Sequence, residues 1–168
     1  MDYDALFKLS YGLYIIGSKS GEKQSGFIGN TVFQVTSDPV NVSMCSSKDN
    51  FTTGLIKESG YFSVSVLKQD IDRKTIGLFG YKSGKDVNKF ENVEFVTGKT
   101  GVPIVTEGTI AWFECEVKMS MELPTHIMFI GSVINNKLID DSGIPLTYSY
   151  YREVYRGKAP KNAPTFVK

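Results

Sequence analysis

The stretch CSSKDNFTT, Cys45 to Thr53, packs a thiol, a lysine, a carboxylate, an amide and four hydroxyls between a strand-like run and a helix-like one. Helix N-termini bind anions, because their first N–H groups lack partners and the dipole points outward. Ser46, Ser47, Asn50 and Thr52 could donate to phosphate oxygens, and Lys48 adds charge. The same residues equally describe a capped, solvated strand-to-helix turn that holds nothing. A second stretch, GFIGNTVFQ, places Gly26 and Gly29 where a backbone could pass close to a flat ligand. Asn30 and Thr31 would offer edge-on hydrogen bonds there. A glycine-marked bulge in a strand is the plain alternative.

The only histidine, His126, opens the apolar run of PTHIMFIGSV. With no second histidine at ligand spacing, most His-based metal sites are ruled out, and no metal centre is expected. Cys45 and His126 could form a nucleophile pair, but Cys45 lies in a strand and reads as buried. His126 is then either a core residue tied off by one hydrogen bond or a ligand contact. There is no G-x-G-x-x-G and no Walker loop, so Rossmann and P-loop readings have no support. If this is an enzyme, a cofactor carries the hard chemistry and the protein holds it in place.

These residues need elements to position them. Residues 1–10 read as a short helix in which Ala5, Leu6 and Leu9 share a face. LYIIGS reads as a strand, followed by a polar hairpin signal at KSGEKQSG. Strand character runs from Phe27 to Val35 and stops at Ser37-Asp38-Pro39. VNVSMCSS is a further strand. A helix follows with Asp49 or Asn50 as N-cap and Gly60 as its stop. In YFSVSVL, Phe62, Val64 and Val66 face one way, Ser63 and Ser65 the other. IDRKTIGLFG reads as a second helix ended by Gly80, and YKSGKDVNKF as loop. From Thr109 to Met119 the inward set is Ala111, Phe113, Cys115, Val117 and Met119, opposite Glu114, Glu116 and Lys118. The strand from His126 to Ile134 is apolar on both faces, so it is covered on both sides. A second subunit could supply the outer cover. Many strands with few short helices indicate a mainly β fold, a barrel or sandwich.

The 168 residues suggest one domain spanning the chain. Lysines and arginines are scattered and the net charge is +1, which argues against a nucleic-acid footprint. Cys45 and Cys115 lie far apart and form no C-x-x-C. Reduced, buried thiols in a cytoplasmic protein are the default expectation. The N-terminus does not read as a signal peptide, and no apolar run is long enough to span a membrane.

Taken in order, YGLYIIGS, GNTVFQVTSDPV, SSKDNFTTGLIKESGYFSVSVL, IGLFGYKSGKDVNKF and PTHIMFIGSV resemble flavin reductase-like proteins with an FMN-binding split barrel. The likeness is greatest to archaeal ferric reductases and to the flavin domains of rubredoxin-fused proteins. The tail GIPLTYSYYREVYRGKAPKNAPTF is similar to the end of those domains. The resemblance implies a mainly β, Greek-key split barrel working as a homodimer. It further implies FMN as cofactor, NADH or NADPH as co-substrate, and electrons passed to ferric complexes, free flavin or a small redox protein such as rubredoxin. A flavoredoxin-like electron carrier without its own nicotinamide site is the alternative.

Carried onto this chain, the resemblance puts Phe27, Ile28, Gly29, Asn30 and Thr31 beside the flavin ring and ribityl. It puts Cys45, Ser46, Ser47, Lys48, Asn50 and Thr52 along the ribityl and phosphate, with Gly80, Ser83 and Lys89 in a second phosphate-side loop. His126 would face the nicotinamide as a positioner rather than a proton shuttle, and Tyr148 and Tyr151 would cover it. Hydride transfer between stacked rings needs no acid or base from the protein, only face-to-face alignment. Many relatives carry Gly-Asp-His where this chain has Pro124-Thr125-His126.

Overall fold

The computed structural model describes residues 2–166. Its strands are β1 (Tyr14–Ser20), β2 (Lys23–Gly29), β3 (Val32–Ser37), β4 (Val40–Ser47), β5 (Tyr61–Leu67), β6 (Phe95–Thr97), β7 (Pro103–Val105), β8 (Thr109–Glu122) and β9 (His126–Leu138). The helices are α1 (Phe51–Ser59), α2 (Arg73–Tyr81) and α3 (Tyr148–Glu153). Seven strands form one antiparallel sheet in the order β2-β1-β5-β8-β9-β4-β3, and β6 pairs with β7 separately. Residues from both flanks of that order, Ile16 and Phe27 on one side and Val42, Met44, Ile127 and Phe129 on the other, meet in one core with Ile56 of α1. The sheet is therefore rolled. β2 comes to lie beside β4 without pairing to it, which leaves a seam.

Local chemistry explains the joints. Gly21, at φ 55°, takes the first central position of a two-residue hairpin loop closed by Ser20 and Lys23. Asn50, not Asp49, caps α1: its Oδ1 accepts from Thr52 N–H at 3.0 Å. Gly60, at φ 76°, ends that helix and returns its N–H to Ile56 O. Gly80 does not end α2, which runs on to Tyr81 with Asp72 as N-cap.

Several expectations are corrected. The apparent strand from Phe27 to Val35 is two strands: Asn30 and Thr31 break it, and the halves sit at opposite ends of the sheet order. The N-terminal helix is a short 3-10 turn, Tyr3–Lys8, with Leu6 and Leu9 exposed. Its anchor is Phe7, whose ring lies 3.3 Å from the Arg152 guanidinium carbon. The inward set of β8 holds for Phe113, Cys115 and Val117, which pack in one core with Phe62 and Val64, and fails at Met119 because a bulge falls between Val117 and Met119. Glu114 lies on the opposite face, in one row with Ser63 and Asn135, and that face is covered as well. Glu114 is completely buried, whereas Met119 is exposed. Both cysteines are free and buried.

The serine face of β5 is also buried. Ser63 Oγ donates to Pro103 O at 2.6 Å and Ser65 Oγ to Val105 O at 2.8 Å, so β7 lies across it. Gly17 permits that approach, since a Cβ there would stand 2.3 Å from Pro103 O. Gly17→Ala is expected to destabilise the fold by about 1–3 kcal/mol, read as a lower urea midpoint with an unchanged slope. Among the described residues no helix is long and apolar enough to cross a membrane.

Candidate functional site

A groove opens at the seam. Phe27, Ile28 and Gly29 of β2 form one wall, and Cys45, Ser46 and Ser47 at the end of β4 form the other. The start of α1, the end of α2 with the loop to Gly84, and Lys89 close one end, and Pro160 to Pro164 of the C-terminal tail lie across it. The groove exists because β3 pairs with β4 only as far as Met44, leaving Ser46 and Ser47 paired to β9 alone.

Lys89 is 3% exposed and has no carboxylate within ion-pair distance among the described residues. Its Nζ donates to Gly26 O at 2.8 Å and to Phe79 O at 3.2 Å. The second bond puts the ammonium at the negative end of α2. An ammonium has three hydrogens, so one donor remains. Burial pulls its pKa from 10.5 down to about 8. A buried cation with a spare donor at the end of a groove suits an anionic group.

The CSSKDNFTT turn caps α1 through Asn50 and lines the groove with Cys45, Ser46, Ser47 and Asn50. Thr53 Oγ1 donates to Ser47 O at 2.7 Å, so Ser46 Oγ is the donor in its 2.5 Å bond to Thr53 Oγ1. Those hydroxyls hold the turn. Ser47 Oγ accepts from Asp49 N–H at 3.3 Å, and among the described residues its own hydrogen and the Asn50 NH2, both beside the groove, are given to no partner. Thr52 Oγ1 is buried outside the groove lining and has no hydrogen-bond partner among the described residues. Lys48 does not reach the groove either; it pairs with Glu122 at 3.1 Å and lines the neighbouring cavity.

Ser47 is directly opposite His126 in the β4–β9 ladder, which fixes the histidine at the far end of the groove. His126 and Cys45 share a second cavity with Leu123, Pro124, Thr125 and the tail. Asn162 O can only accept, so His126 Nε2 carries the hydrogen in their 3.2 Å contact, and Nδ1 accepts from Thr125 Oγ1 at 2.8 Å. No hydrogen bond joins Cys45 to His126, and burial pushes the Cys45 thiol up in pKa, away from nucleophilic use. His126 is a half-buried residue on a cavity wall, not a core histidine.

Tyr148 and Tyr151 line neither the groove nor the cavity beside His126. They line a small adjoining cavity with Asn30, Tyr81 and Ala163, and their rings stack at 6.4 Å. Burial and the Tyr81 hydroxyl, 3.0 Å away, push the Tyr151 pKa up, so it stays a neutral phenol. Thr31 donates to Asn30 Oδ1 at 3.2 Å and does not line the groove. Sequence reasoning missed Phe79, Tyr81, Lys82 and Gly84 as lining, together with the tail; Asp49 and Phe51, which also line it, fall inside the Cys45–Thr52 segment that the resemblance points to. Gly84 had a usable signal in its place after Ser83, because a Cβ there would strike Ser25 Oγ at 2.0 Å.

Comparison with known proteins adds to this geometry. Residues 6–158 match the family described as "Flavin reductase like domain". The chain is 42% identical over 168 residues to a ferric-chelate reductase (NAD(P)H) of Archaeoglobus fulgidus, covering 100% of this chain and 99% of that protein. It is 40% identical over 167 residues to a high molecular weight rubredoxin of Moorella thermoacetica, covering 99% of this chain and 72% of the other. Among solved structures, an NADH:FAD oxidoreductase of Streptomyces globisporus superposes with a TM-score of 0.75 at 24% identity, over 83% of this chain and 81% of that one.

Proposed function

The chain belongs to the flavin reductase-like family, and from that premise we propose an FMN-dependent NAD(P)H oxidoreductase that hands its electrons to ferric complexes, free flavin or a small redox protein such as rubredoxin. The observation that carries this reading is Lys89, a buried ammonium without a counter-charge at one end of a groove built from two unpaired strand ends. Lys89, with Ser83 beside it, would hold the FMN phosphate. Phe27 to Gly29 and Cys45 to Ser47 would flank the ring system. A bound flavin supplies acceptance of hydride from nicotinamide and its onward release as electrons. The protein's part is to keep the slot dry, fix the ring and align the dinucleotide. His126 donates from Nε2 to a dinucleotide oxygen and moves no proton. We place Tyr148 and Tyr151 behind the tail rather than against the nicotinamide.

The outer face of the sheet supports a homodimer. Phe33, Ile130 and Met119 lie in one cross-strand row over β3, β9 and β8, and Met128 and Met121 in the next. Phe33, Met119 and Met121 are exposed. An apolar patch of this kind marks an association surface. Two buried free thiols fit a reducing, cytoplasmic compartment.

Anaerobic addition of NADH and, separately, NADPH to the FMN-loaded protein tests the enzyme reading. Loss of the yellow absorbance with at least one nucleotide is expected. A protein that takes no FMN sinks the proposal. A protein that stays yellow with both is a flavin carrier reduced by another protein. That second reading has one observation in its favour: the His126 side of the site is covered by the chain's own tail.

A further inference from the structure

After α3 the chain turns sharply and comes back over the groove. Arg156 makes the turn in the left-handed region at φ 55°, and Gly157 N–H returns to Tyr151 O at 2.9 Å. A side chain at Gly157 would lie 2.1 Å from Tyr151 Cζ, so the turn is pressed against that ring. Beyond the turn, residues 158–166 form neither helix nor strand. Three tethers fix this segment. The Tyr81 hydroxyl donates to Lys158 O. His126 Nε2 donates to Asn162 O at 3.2 Å. Asn30 Nδ2 donates to Thr165 Oγ1 at 2.6 Å.

Each tether comes from a residue beside the groove, and two come from positions placed at the flavin and nicotinamide. The tail supplies one wall of the groove and the wall facing His126 in the next cavity. It is attached by few hydrogen bonds, without strand pairing, and much of it is exposed. Segments of this kind open at small cost while the rest of the fold stays intact.

We infer that residues 158–166 form a strap closed over the His126 side of the groove, and that a nicotinamide dinucleotide enters by displacing it and taking His126 from the Asn162 carbonyl. This rests on the oxidoreductase reading above. The exchange is balanced in hydrogen bonds: Nε2–H gives up a backbone carbonyl and gains an oxygen of the dinucleotide, while Thr125 goes on holding Nδ1. The cost lies in opening. Only the open fraction binds, so apparent affinity is reduced by that fraction. The chain thereby keeps water and adventitious oxidants from the His126 side until its reductant arrives.

The test uses the FMN-loaded protein in three forms: the full chain, Thr165→Val, and a chain ending at Ala159. Anaerobic stopped-flow reduction by NADH and NADPH gives an apparent Kd and a limiting rate for each. Thr165→Val is expected to lower the apparent Kd by about threefold, with FMN retained and limiting rates unchanged, and truncation to lower it by about tenfold. Trypsin, which cuts after Lys158 and Lys161, is expected to cleave the full chain faster when NAD+ or NADP+ is added. An apparent Kd unchanged or raised in Thr165→Val, or protection from trypsin by both nucleotides, overturns the strap. These two measurements decide the matter even if the truncated chain does not fold. Reduction of all forms with equal Kd defeats the strap alone, whereas a full chain that neither nucleotide reduces defeats the oxidoreductase reading and the strap with it.

Discussion

Lys89→Met is expected to loosen FMN by about a hundredfold, close to 3 kcal/mol, while leaving the ligand-free protein nearly as stable as before. The two halves of this result have one origin. Lys89 is charged and buried with only carbonyls for company. Its pKa falls from 10.5 to about 8 on folding, which corresponds to about 3 kcal/mol against the charged form. Because the folded pKa is the lower one, the unfolded chain holds this proton more tightly. The cost is therefore present in full below pH 8 and fades as the pH rises from 8 towards 10.5. Methionine removes that cost but orphans the Gly26 and Phe79 carbonyls, and the two effects offset.

A phosphate at Nζ reverses the situation, since an anion favours the protonated amine. FMN affinity should then be highest below pH 8 and decline above it, and the decline should vanish in Lys89→Met. Equilibrium titration of the ligand-free protein with FMN at several pH values reads both effects. Equal affinity and equal pH slope in the two proteins would remove Lys89 from the site.

Glu114→Gln should cost about 2–4 kcal/mol of stability, read as a lower urea midpoint at pH 7. The wild-type carboxylate accepts from Thr100 N–H at 2.7 Å, Thr100 Oγ1 at 2.7 Å, Lys99 N–H at 3.0 Å and Asn135 Nδ2 at 3.2 Å. It holds the turn from Gly98 to Gly101 against β8, with Ser63 and Asn135 beside it in the same cross-strand row. An amide in that place turns an NH2 towards two backbone N–H groups, and donors then face donors. Burial pushes the Glu114 pKa up, but the four bonds together outweigh it and hold the carboxyl below its ordinary 4.5. For a depressed carboxyl the stabilisation is complete above 4.5 and is lost as the pH falls through the folded value. The wild type should therefore lose stability in that acid range more steeply than Glu114→Gln. Parallel acid profiles would mean that the bonds contribute little.

The sequence disclosed whatever is decided locally. Asn50 and Gly60 mark the ends of α1 because capping and left-handed geometry depend on a few neighbouring residues. YFSVSVL shows its parity because a regular strand alternates without interruption. Bulges carry no such mark, so strict alternation turns Met119 inward when it faces out; Glu114 is read on its true face, but the cover of that face by β7 and the turn from Gly98 to Gly101 comes from elsewhere in the chain. Asn30 and Thr31 look like strand residues, and only the rolling of the sheet makes them a crossing between its two edges. At the site, the β2 and β4 walls could be read from glycines and small polar residues. Lys48 attracts attention by adjacency in sequence but is spent on Glu122. Lys89 is visible only through family resemblance, since its burial depends on Gly26 and Phe79, distant in the chain. The tail shows a likeness to the end of the related domains, but its course over the groove carries no local signal, because its three anchors lie between 36 and 135 residues away along the chain.

The seam between β2 and β4 has a further meaning. A closed barrel satisfies every strand edge with another strand. Here β2 has a strand on one side only, and the last two residues of β4 lack a neighbour on the side facing it. Backbone donors and acceptors left along such an edge invite a partner. A planar heterocycle with donors and acceptors on its rim can answer them as a surrogate strand. A ligand bound there, as we propose, would complete the sheet rather than enter a hole in it, and occupancy and barrel closure would become a single equilibrium.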